Sequence, residues 1–172
     1  MVVNLWFIAL TSFRINDYVD VWVDLVRESF VKAGINVDIH VLTGVYNPPI
    51  KCFDWSRAQY YAPCILEWLL SIVKPYRGDN RFFIGIGYID GYDHGLNFVF
   101  GEADPYNNVA VVFTKRLDPL FYGLKWDFNL YVERTAKEIV HETGHLLGLK
   151  HCSVQGCVMN FSNSVYDVDG KS

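Results

Sequence analysis

The first quarter of the chain alternates apolar, strand-like segments with a segment whose apolar residues recur at helical spacing. Residues 2–10 are aliphatic or aromatic except for Asn4, as in a strand that is covered on both faces. Apolar residues within 15–33 recur every three or four positions, which predicts a helix that stops at Gly34. Residues 35–41 then alternate apolar and polar side chains, which predicts a strand near a sheet edge. This order restricts the fold to those with a crossover between parallel strands.

The same alternation continues along the chain and completes the predicted sheet. Asp54 or Ser56 can cap a second helix that runs to about residue 73 and is bent at Pro63. Three further strands are predicted at residues 81–89, 97–100 and 109–114. The helices between the first three strands imply parallel pairing, whereas the short link between the last two permits antiparallel pairing. The sequence therefore predicts an α/β three-layer sandwich with a mixed five-stranded sheet and one antiparallel edge strand.

Length and composition favour one globular domain and exclude several partners. The 172 residues fit a single domain, and 51% of them are hydrophobic against 20% charged. The net charge is -4, from 15 basic and 19 acidic residues, and no run of Lys or Arg could follow a phosphate backbone. No apolar run approaches the roughly 20 residues of a membrane helix, and the apolar start lacks the basic region of an export signal. We therefore expect a soluble, cytoplasmic monomer that binds neither nucleic acid nor membrane.

The last strong helix pattern, at residues 131–149, contains the sequence HETGH. His141 and His145 are four residues apart and therefore lie on one helical face, where both imidazoles can reach a single metal ion. Glu142 lies beside them and can face a water molecule on that ion. This segment is thus predicted to be the active-site helix.

Two further residues extend the pattern to HExxHxxGxxH. Gly148 can adopt the left-handed conformation that ends a helix abruptly. The chain can then turn back so that His151 approaches the same ion. Three nitrogen ligands leave a fourth position open for water, which is typical of a catalytic zinc site rather than a closed structural one.

The residues that follow this motif resemble those of one family. HETGHLLGLKH is followed by Cys152, four residues, Cys157, Val158 and Met159. This pattern is similar to that of the archaemetzincin family of metzincin peptidases. Residues 95–103 also resemble the strand that enters the cleft in these proteins, and the resemblance covers most of the chain.

The resemblance implies a peptidase with one catalytic zinc. His141, His145 and His151 would ligate that zinc, and Glu142 would take a proton from its water. Met159 would form the Met-turn, an apolar floor beneath the three histidines. This packing role differs little from that of an ordinary core methionine.

The resemblance also implies how the chain is divided and where a substrate lies. A single catalytic domain would span residues 1–172, with an upper α/β half to about residue 148 and a small lower half at about 149–172. A peptide could add to an edge strand beside the cleft through backbone hydrogen bonds. The candidate substrate strand consists of Leu96, Asn97, Phe98, Val99, Phe100 and Gly101.

Three aromatic or imidazole positions receive different expectations. Some metzincins carry a tyrosine two residues after the Met-turn, where its hydroxyl helps to stabilise the oxyanion, but this chain has Phe161 there. Tyr166 is an alternative source of that hydroxyl, although packing is its more ordinary role. His40 and His94 are expected to be surface residues.

The cysteines bear on a second metal. Without an export signal, all four are expected to be thiols or metal ligands. The family also has a structural zinc bound by four cysteines, and two of these match Cys152 and Cys157, whereas the other two would fall near position 175, after Ser172. A C-terminal tail could carry that pair, which we favour; the protein could lack the second zinc; or Cys52 and Cys64 could replace the pair. Cys64 itself fits a small buried residue on an apolar helix.

The predicted activity is peptide hydrolysis by a zinc-dependent metallopeptidase. Glu142 would activate the water bound to zinc. A zinc-loaded binding or regulatory protein with little turnover is an alternative, but such a protein would need neither Glu142 nor an open coordination position. Hydrolysis of a non-peptide amide by the same water is a further alternative.

Overall fold

A computed structural model describes residues 1–172, which form eight strands and four α-helices. The strands are β1 (Val3–Ala9), β2 (Val37–Val45), β3 (Phe53–Asp54), β4 (Gln59–Tyr61), β5 (Arg81–Gly87), β6 (Gly91–Tyr92), β7 (Gly101–Asp104) and β8 (Val109–Phe113). The helices are α1 (Val19–Lys32), α2 (Ala62–Val73), α3 (Phe128–Leu146) and α4 (Val165–Asp169). None of these helices combines the length and the apolar character needed to span a bilayer.

Five strands form one mixed sheet in the order β2-β1-β5-β8-β7. The first four are parallel to their neighbours, and β7 runs antiparallel to β8 at one edge. The strand with the alternating pattern, β2, is at the other edge. The predicted mixed sheet with one antiparallel edge strand is therefore confirmed. A second sheet, β3-β4-β6, has strands of only two or three residues, too short to give a recognisable pattern.

Helices cover both faces of the large sheet, which confirms the three-layer sandwich. α1 and α3 pack against one face and α2 packs against the other. Each face of the sheet has its own hydrophobic core, and alternate residues of β5 pack into one or the other. Ile84 and Ile86 face α1 and α3, whereas Phe83 faces α2. The fully buried Trp22 of α1 donates its indole N–H to Val132 O of α3 at 3.2 Å. This bond fixes the active-site helix against its neighbour.

α2 begins later than the sequence pattern predicts. The carboxylate of Asp54 does not cap this helix, since it accepts hydrogen bonds from the backbone N–H groups of Ser56 (3.0 Å) and Arg57 (3.2 Å) and closes a turn between β3 and β4. The helix starts at Ala62, so Pro63 lies in its first turn, where the fixed φ of proline is favourable. The predicted bend at Pro63 is therefore wrong.

The fourth strand of the large sheet also lies later than predicted, at Gly101–Asp104 rather than 97–100. The N–H of Val99 donates at 2.9 Å to a backbone carbonyl of β6 and so points away from β8. The carbonyl of Phe100 accepts, at 2.8 Å, the N–H of the last residue of β8, and pairing with β8 begins there. The apolar residues before Gly101 thus pack beside the sheet but do not form one of its strands.

Two of the four cysteines form a disulfide, contrary to the expectation of free thiols. Cys52, just before β3, is bonded to Cys64 in the first turn of α2, and their Cα atoms are 5.4 Å apart. The prediction that Cys64 is simply a small buried residue is therefore wrong. The interpretation that this pair supplies zinc ligands is also wrong, because a disulfide offers no thiolate.

Candidate active site

α3 carries the first two histidines of the motif. Its N-terminus is capped by Asp127, whose carboxylate accepts the backbone N–H of Leu130 at 3.1 Å. α3 has 19 residues, and the HETGH motif lies at its C-terminal end. His141 is 5% exposed, and its Nε2 lies 3.2 Å from Nε2 of His145. The four-residue spacing thus brings two imidazole nitrogens to one point.

A tight turn at the end of α3 brings the third histidine back to this point. Gly148 has φ +94°, its N–H donates to His145 O at 3.0 Å, and the N–H of Leu149 donates to Gly144 O at 2.9 Å. These two bonds form a Schellman motif, which terminates a helix at a left-handed residue. The ring of His151 consequently lies with its centroid 5.3 Å from that of His141 and 4.7 Å from that of His145.

Backbone carbonyls orient two of the rings. His141 Nδ1 is 2.7 Å from Val158 O, and His145 Nδ1 is 2.8 Å from Leu149 O. Each Nδ1 must carry a proton to make such a bond, so in the neutral ring Nε2 is the unprotonated nitrogen and is directed at the shared point.

Two of the three histidines are held in the neutral form that binds metal. Burial is the main cause that lowers the pKa of His141, to about 3, and the nearby Lys171 acts in the same direction. Burial also lowers the pKa of His151. Neutral imidazole is the state that coordinates a cation, so no proton has to be removed from His141 at neutral pH.

The arrangement fits a Zn²⁺ ion. The donor nitrogens of His141, His145 and His151 all lie within 4.8 Å of one another. Three imidazoles suit zinc, and the side that they leave open faces a cleft of about 660 Å³. A closed, structural site would need a fourth protein ligand, and no further His, Cys, Asp or Glu groups with these three.

Glu142 lies beside the three rings and points at the same cleft. It is 4% exposed and accepts no hydrogen bond from the protein. Burial raises its pKa well above the usual range, and the carboxyl groups of Glu138 and Glu102 add to the effect. A divalent cation nearby acts in the opposite direction. The start of β7 passes so close that a Cβ atom on Gly101 would lie 2.6 Å from Glu142 Oε1, so only glycine leaves this carboxylate its space.

Met159 packs underneath the active-site helix. It is 6% exposed, and a Cβ atom on Gly144 would overlap its Sδ atom. The carbonyl of Met159 accepts the N–H of Cys152 at 2.9 Å, which joins the two ends of the loop between them. The glycine of HETGH and Met159 therefore fit each other sterically.

The segment proposed as a substrate strand divides into two parts. Five of its six residues line the cleft, namely Leu96, Phe98, Val99, Phe100 and Gly101. Asn97 does not, and its carbonyl accepts hydrogen bonds from Gln59 Nε2 at 2.9 Å and Arg57 Nη2 at 3.1 Å. The N–H of Val99 is also used within the protein, as described above. Further backbone groups are open in β7.

Pairing with β8 alternates along β7 and leaves one set of groups open. Phe100 and, two residues on, Glu102 direct their backbone groups to β8. Gly101 and Ala103 therefore direct their N–H and C=O groups away from β8, at the edge that borders the cleft.

The remaining sequence candidates lie at varied distances from the three rings. Phe161 borders the cleft, and its ring centroid is 5.3 Å from that of His151. Tyr166 is 75% exposed on α4 and does not line the cleft. His40 stacks on Trp6 at 4.5 Å, outside the cleft. No tyrosine hydroxyl lines the cleft.

Cys152 and Cys157 are the two free cysteines of the chain. A hydrogen bond with Cys152 lowers the pKa of Cys157, so the two thiols are close together. A four-thiolate zinc site needs two more thiolates, and Cys52 and Cys64 are not available for this because they are joined in the disulfide.

Several charged residues at or near the cleft are missing from the sequence-based site. Glu138 and Lys171 form a buried pair, with Lys171 Nζ 3.2 Å from Glu138 Oε1. Glu102 is hydrogen-bonded to Asp93. Helical spacing alone could have indicated Glu138, since it precedes Glu142 by four residues on the same face. No sequence signal connects Lys171 to the motif.

A mixed α/β sheet packed on an HExxHxxGxxH helix, with three imidazoles converging beside a buried glutamate, defines a zinc-dependent peptidase of the metzincin type. The particular family follows from comparison with known proteins. The chain belongs to Peptidase family M54, whose sequence profile matches residues 9–172, and its relatives are archaemetzincins.

Individual relatives agree with this assignment. The chain is 44% identical to an archaemetzincin of Saccharolobus solfataricus over 151 residues, which is 87% of this chain and 78% of that protein. Its fold matches the archaemetzincin of Methanopyrus kandleri with a TM-score of 0.76 and 34% identity, over 99% of this chain and 87% of the other. A zinc-dependent peptidase from Methanocorpusculum labreanum gives a TM-score of 0.80 at 27% identity, over 98% and 93% of the two chains.

Proposed function

We propose that this metallopeptidase holds its catalytic zinc through His141, His145 and His151 and uses Glu142 as general base. The observation that carries the proposal is the convergence of three imidazoles on one point beside the buried carboxyl group of Glu142. Gly148 serves to return the chain to this point, and Met159 serves as the Met-turn.

The chemistry divides between the metal and the protein. When bound, the zinc ion lowers the pKa of water and polarises the scissile carbonyl. Glu142 accepts the proton of the attacking water and then delivers it to the leaving amine. Val158 and Leu149 hold the rings of His141 and His145 through their carbonyls, so the ligand nitrogens need no reorganisation. Since no tyrosine hydroxyl borders the cleft, the side chains supply no phenolic donor to the oxyanion.

We propose that a peptide substrate lies along β7. The outward N–H and C=O groups of Gly101 and Ala103 can pair with an extended backbone in the manner of strand addition. The apolar side chains of Leu96, Phe98 and Phe161 border the same cleft and can receive substrate side chains. Substrate contacts therefore begin at Gly101 and continue towards Ala103, with residues 96–100 forming the wall.

The proposal also covers the extent of the catalytic domain and a possible second zinc site. Residues 1–172 act as one catalytic domain, with an upper part to about residue 148 and a lower part at about 149–172. Cys152 and Cys157 would bind a second, structural zinc only together with two cysteines from outside this sequence. Metal analysis with and without such a pair decides this, since zinc bound tightly by the two thiols alone would contradict it.

We also propose that the protein is a cytoplasmic monomer that contacts neither nucleic acid nor membrane. Its net charge of -4 and its lack of basic runs support this. The Cys52–Cys64 disulfide is compatible with a cytoplasmic location in cells whose intracellular proteins keep disulfides, as those of hyperthermophilic archaea do. Cell fractionation and sedimentation of the native protein test the proposal, and recovery with the membrane fraction or as a stable dimer would contradict it.

Replacing Glu142 tests the proposed base. We expect Glu142→Gln to retain zinc but to lower kcat on a cleavable peptide by about 10²- to 10⁴-fold, because glutamine cannot accept the proton. Glu133→Gln on the exposed face of α3 is the matched control and should leave kcat unchanged. A peptide library identifies the substrate, with zinc content measured on every sample.

The same experiment separates the alternatives. A zinc-loaded regulatory protein would cleave no peptide, and Glu142→Gln would change nothing that is measured. An enzyme for non-peptide amides would leave the library intact but hydrolyse small amides in a Glu142-dependent way. Equal rates for the wild type and Glu142→Gln would remove Glu142 from the mechanism.

A further inference from the structure

Three charged residues form a row on the buried face of α3. Arg134, Glu138 and Glu142 are spaced by four residues and are 4%, 2% and 4% exposed. Unpaired buried charges are costly, so each needs a counter-charge or a ligand. The row ends at the proposed zinc site, which makes the source of these counter-charges relevant to the chemistry.

The C-terminal segment supplies two of the counter-charges. Asp169 forms a two-point pair with Arg134, at 2.6 and 2.9 Å, and Lys137 Nζ donates to Asp169 O at 3.1 Å. Lys171 pairs with Glu138 at 3.2 Å. Glu142 alone has no partner from the protein and faces the cleft.

Lys171 occupies an unusual place for a lysine. Its side chain is 2% exposed, and Nζ lies between Glu138 Oε1 at 3.2 Å and His141 Nδ1 at 3.5 Å. Because Nδ1 of His141 already bonds to Val158 O, the ammonium acts on this ring through contact and charge rather than as its main hydrogen-bond partner. Both Glu138 and Lys171 border the same cleft as the three histidines.

We propose that Lys171 is a positioning residue of the active site. It neutralises Glu138 and contacts the ring of His141, so that Glu138 adds no negative charge beside Glu142 and the zinc. This inference rests on the proposed zinc site. Without the ammonium, Glu138 would present a second carboxylate one helical turn from Glu142 and could compete for the cation or for the water proton. Without the carboxylate, the ammonium would stand unpaired beside a zinc ligand and would repel the cation.

The two sides of the pair therefore have opposite effects on zinc affinity. We expect Glu138→Gln to weaken zinc binding by about 10- to 100-fold, the range found when groups that support metal ligands are altered. Lys171→Met should bind zinc at least as tightly as the wild type, yet its kcat at saturating zinc should fall by about tenfold or more. The double variant, neutral at both positions, should recover zinc affinity and kcat to within about threefold of the wild type.

The pair formed by Arg134 and Asp169 provides a matched control one turn further from the zinc. Arg134→Met and Asp169→Asn also break an ion pair between α3 and the C-terminal segment, one in which Arg134 is buried and Asp169 is partly exposed. They should lower the melting temperature but leave the zinc dissociation constant unchanged. A readout by chelator competition is independent of turnover and separates an electrostatic role from general loosening of the segment.

The outcomes are distinct. If Glu138→Gln and Lys171→Met shift the zinc dissociation constant in the same direction, or no more than the controls do, Lys171 is only structural and the inference is overturned. If the double variant binds zinc normally but has lost turnover, Lys171 acts directly and the inference is again overturned. Lys171→Gln replaces Lys171→Met if the latter does not fold. A wild-type protein that binds no zinc would instead overturn the proposed function.

Discussion

Glu102 lines the cleft, and its charge state changes with pH in the range just above neutral. Burial raises its pKa to about 8, and its hydrogen bond to Asp93 and the charge of that carboxylate add to the effect. The same hydrogen bond lowers the pKa of Asp93. At neutral pH, Glu102 is therefore mainly protonated and donates to an ionised Asp93. In addition to burial, the charges of Asp93 and Glu102 raise the pKa of Tyr61. The charge of Glu102 also contributes to the raised pKa of Glu142.

This pair predicts how stability depends on pH. The folded-state pKa of Glu102 is raised from 4.5 to about 8, so its stabilising contribution is complete below about pH 4.5 and is lost as the pH rises through 8. Glu102→Gln mimics the protonated form and should become more stable relative to the wild type between pH 5 and 9. Since Glu102 is partly solvated, we expect a difference of about 1 kcal/mol.

Denaturant unfolding of the metal-free protein at several pH values measures this difference. Glu133→Gln is a control in which an exposed carboxylate undergoes the same replacement, and its curve should run parallel to that of the wild type. A Glu102→Gln curve that also ran parallel would show that Glu102 has an ordinary pKa in the folded protein.

The positions of individual site residues could be predicted from the sequence where these residues are close together in the chain. The turn at Gly148 and the approach of the three rings depend on eleven consecutive residues whose order is visible in the chain. Lys171 could not be found in this way, because it reaches His141 only through the fold of the segment between them. Asp93 and Glu102 meet across a loop and a strand edge, and nothing in their spacing indicates it.

Among the elements, β7 is the one that we propose binds the substrate. Its open edge bears the N–H of Ala103, whereas the N–H of Glu102 belongs to the pairing with β8. Proline at an outward position removes a donor from the edge without removing one from the sheet. We therefore expect Ala103→Pro to raise KM for peptides by about three- to tenfold, equivalent to one lost hydrogen bond, with zinc content unchanged.

Ala103→Gly is the control for this prediction. It alters the side chain at the same position but keeps the N–H, so its KM should stay near that of the wild type. Steady-state kinetics on one cleavable peptide compare the two variants. If both raise KM equally, the side chain and not the backbone of Ala103 contacts the substrate, and strand addition at this position is wrong.

The elements differ in how well their patterns could be interpreted. α1 and β1 were predictable because long apolar repeats match their periods, and both are buried as expected. The start of α2 was not, because Asp54 is equally suited to a turn and to a helix cap. The parallel pairing in the large sheet followed from the crossover rule, whereas the two-residue strands of the small sheet have no period at all.

For the molecule as a whole, the Cys52–Cys64 bond should matter for stability. It closes a loop of 12 residues around β3 and β4, and such a loop contributes about 3 kcal/mol. Reduction should therefore lower the melting temperature by about 6 to 12 °C for a chain of this length. The double variant Cys52→Ala with Cys64→Ala should melt lower from the start and should not respond to reductant. A wild-type melting temperature that reductant leaves unchanged would contradict the prediction.

The composition predicted a single domain with a large core, but it could not reveal this covalent bond. Cysteine spacing carries no information about which side chains meet in space. The absence of an export signal favoured thiols, and the fold instead brings Cα atoms 52 and 64 to 5.4 Å.

The disulfide also leaves the molecule with a built-in reporter. Cys152 and Cys157 are the only sulfhydryls that an alkylating reagent can find, and Cys152 directly follows His151. A fluorophore or spin label attached there would sense the environment of the lower loop without any engineered mutation. The rate of labelling thus offers a way to follow how metal loading changes this part of the protein in solution.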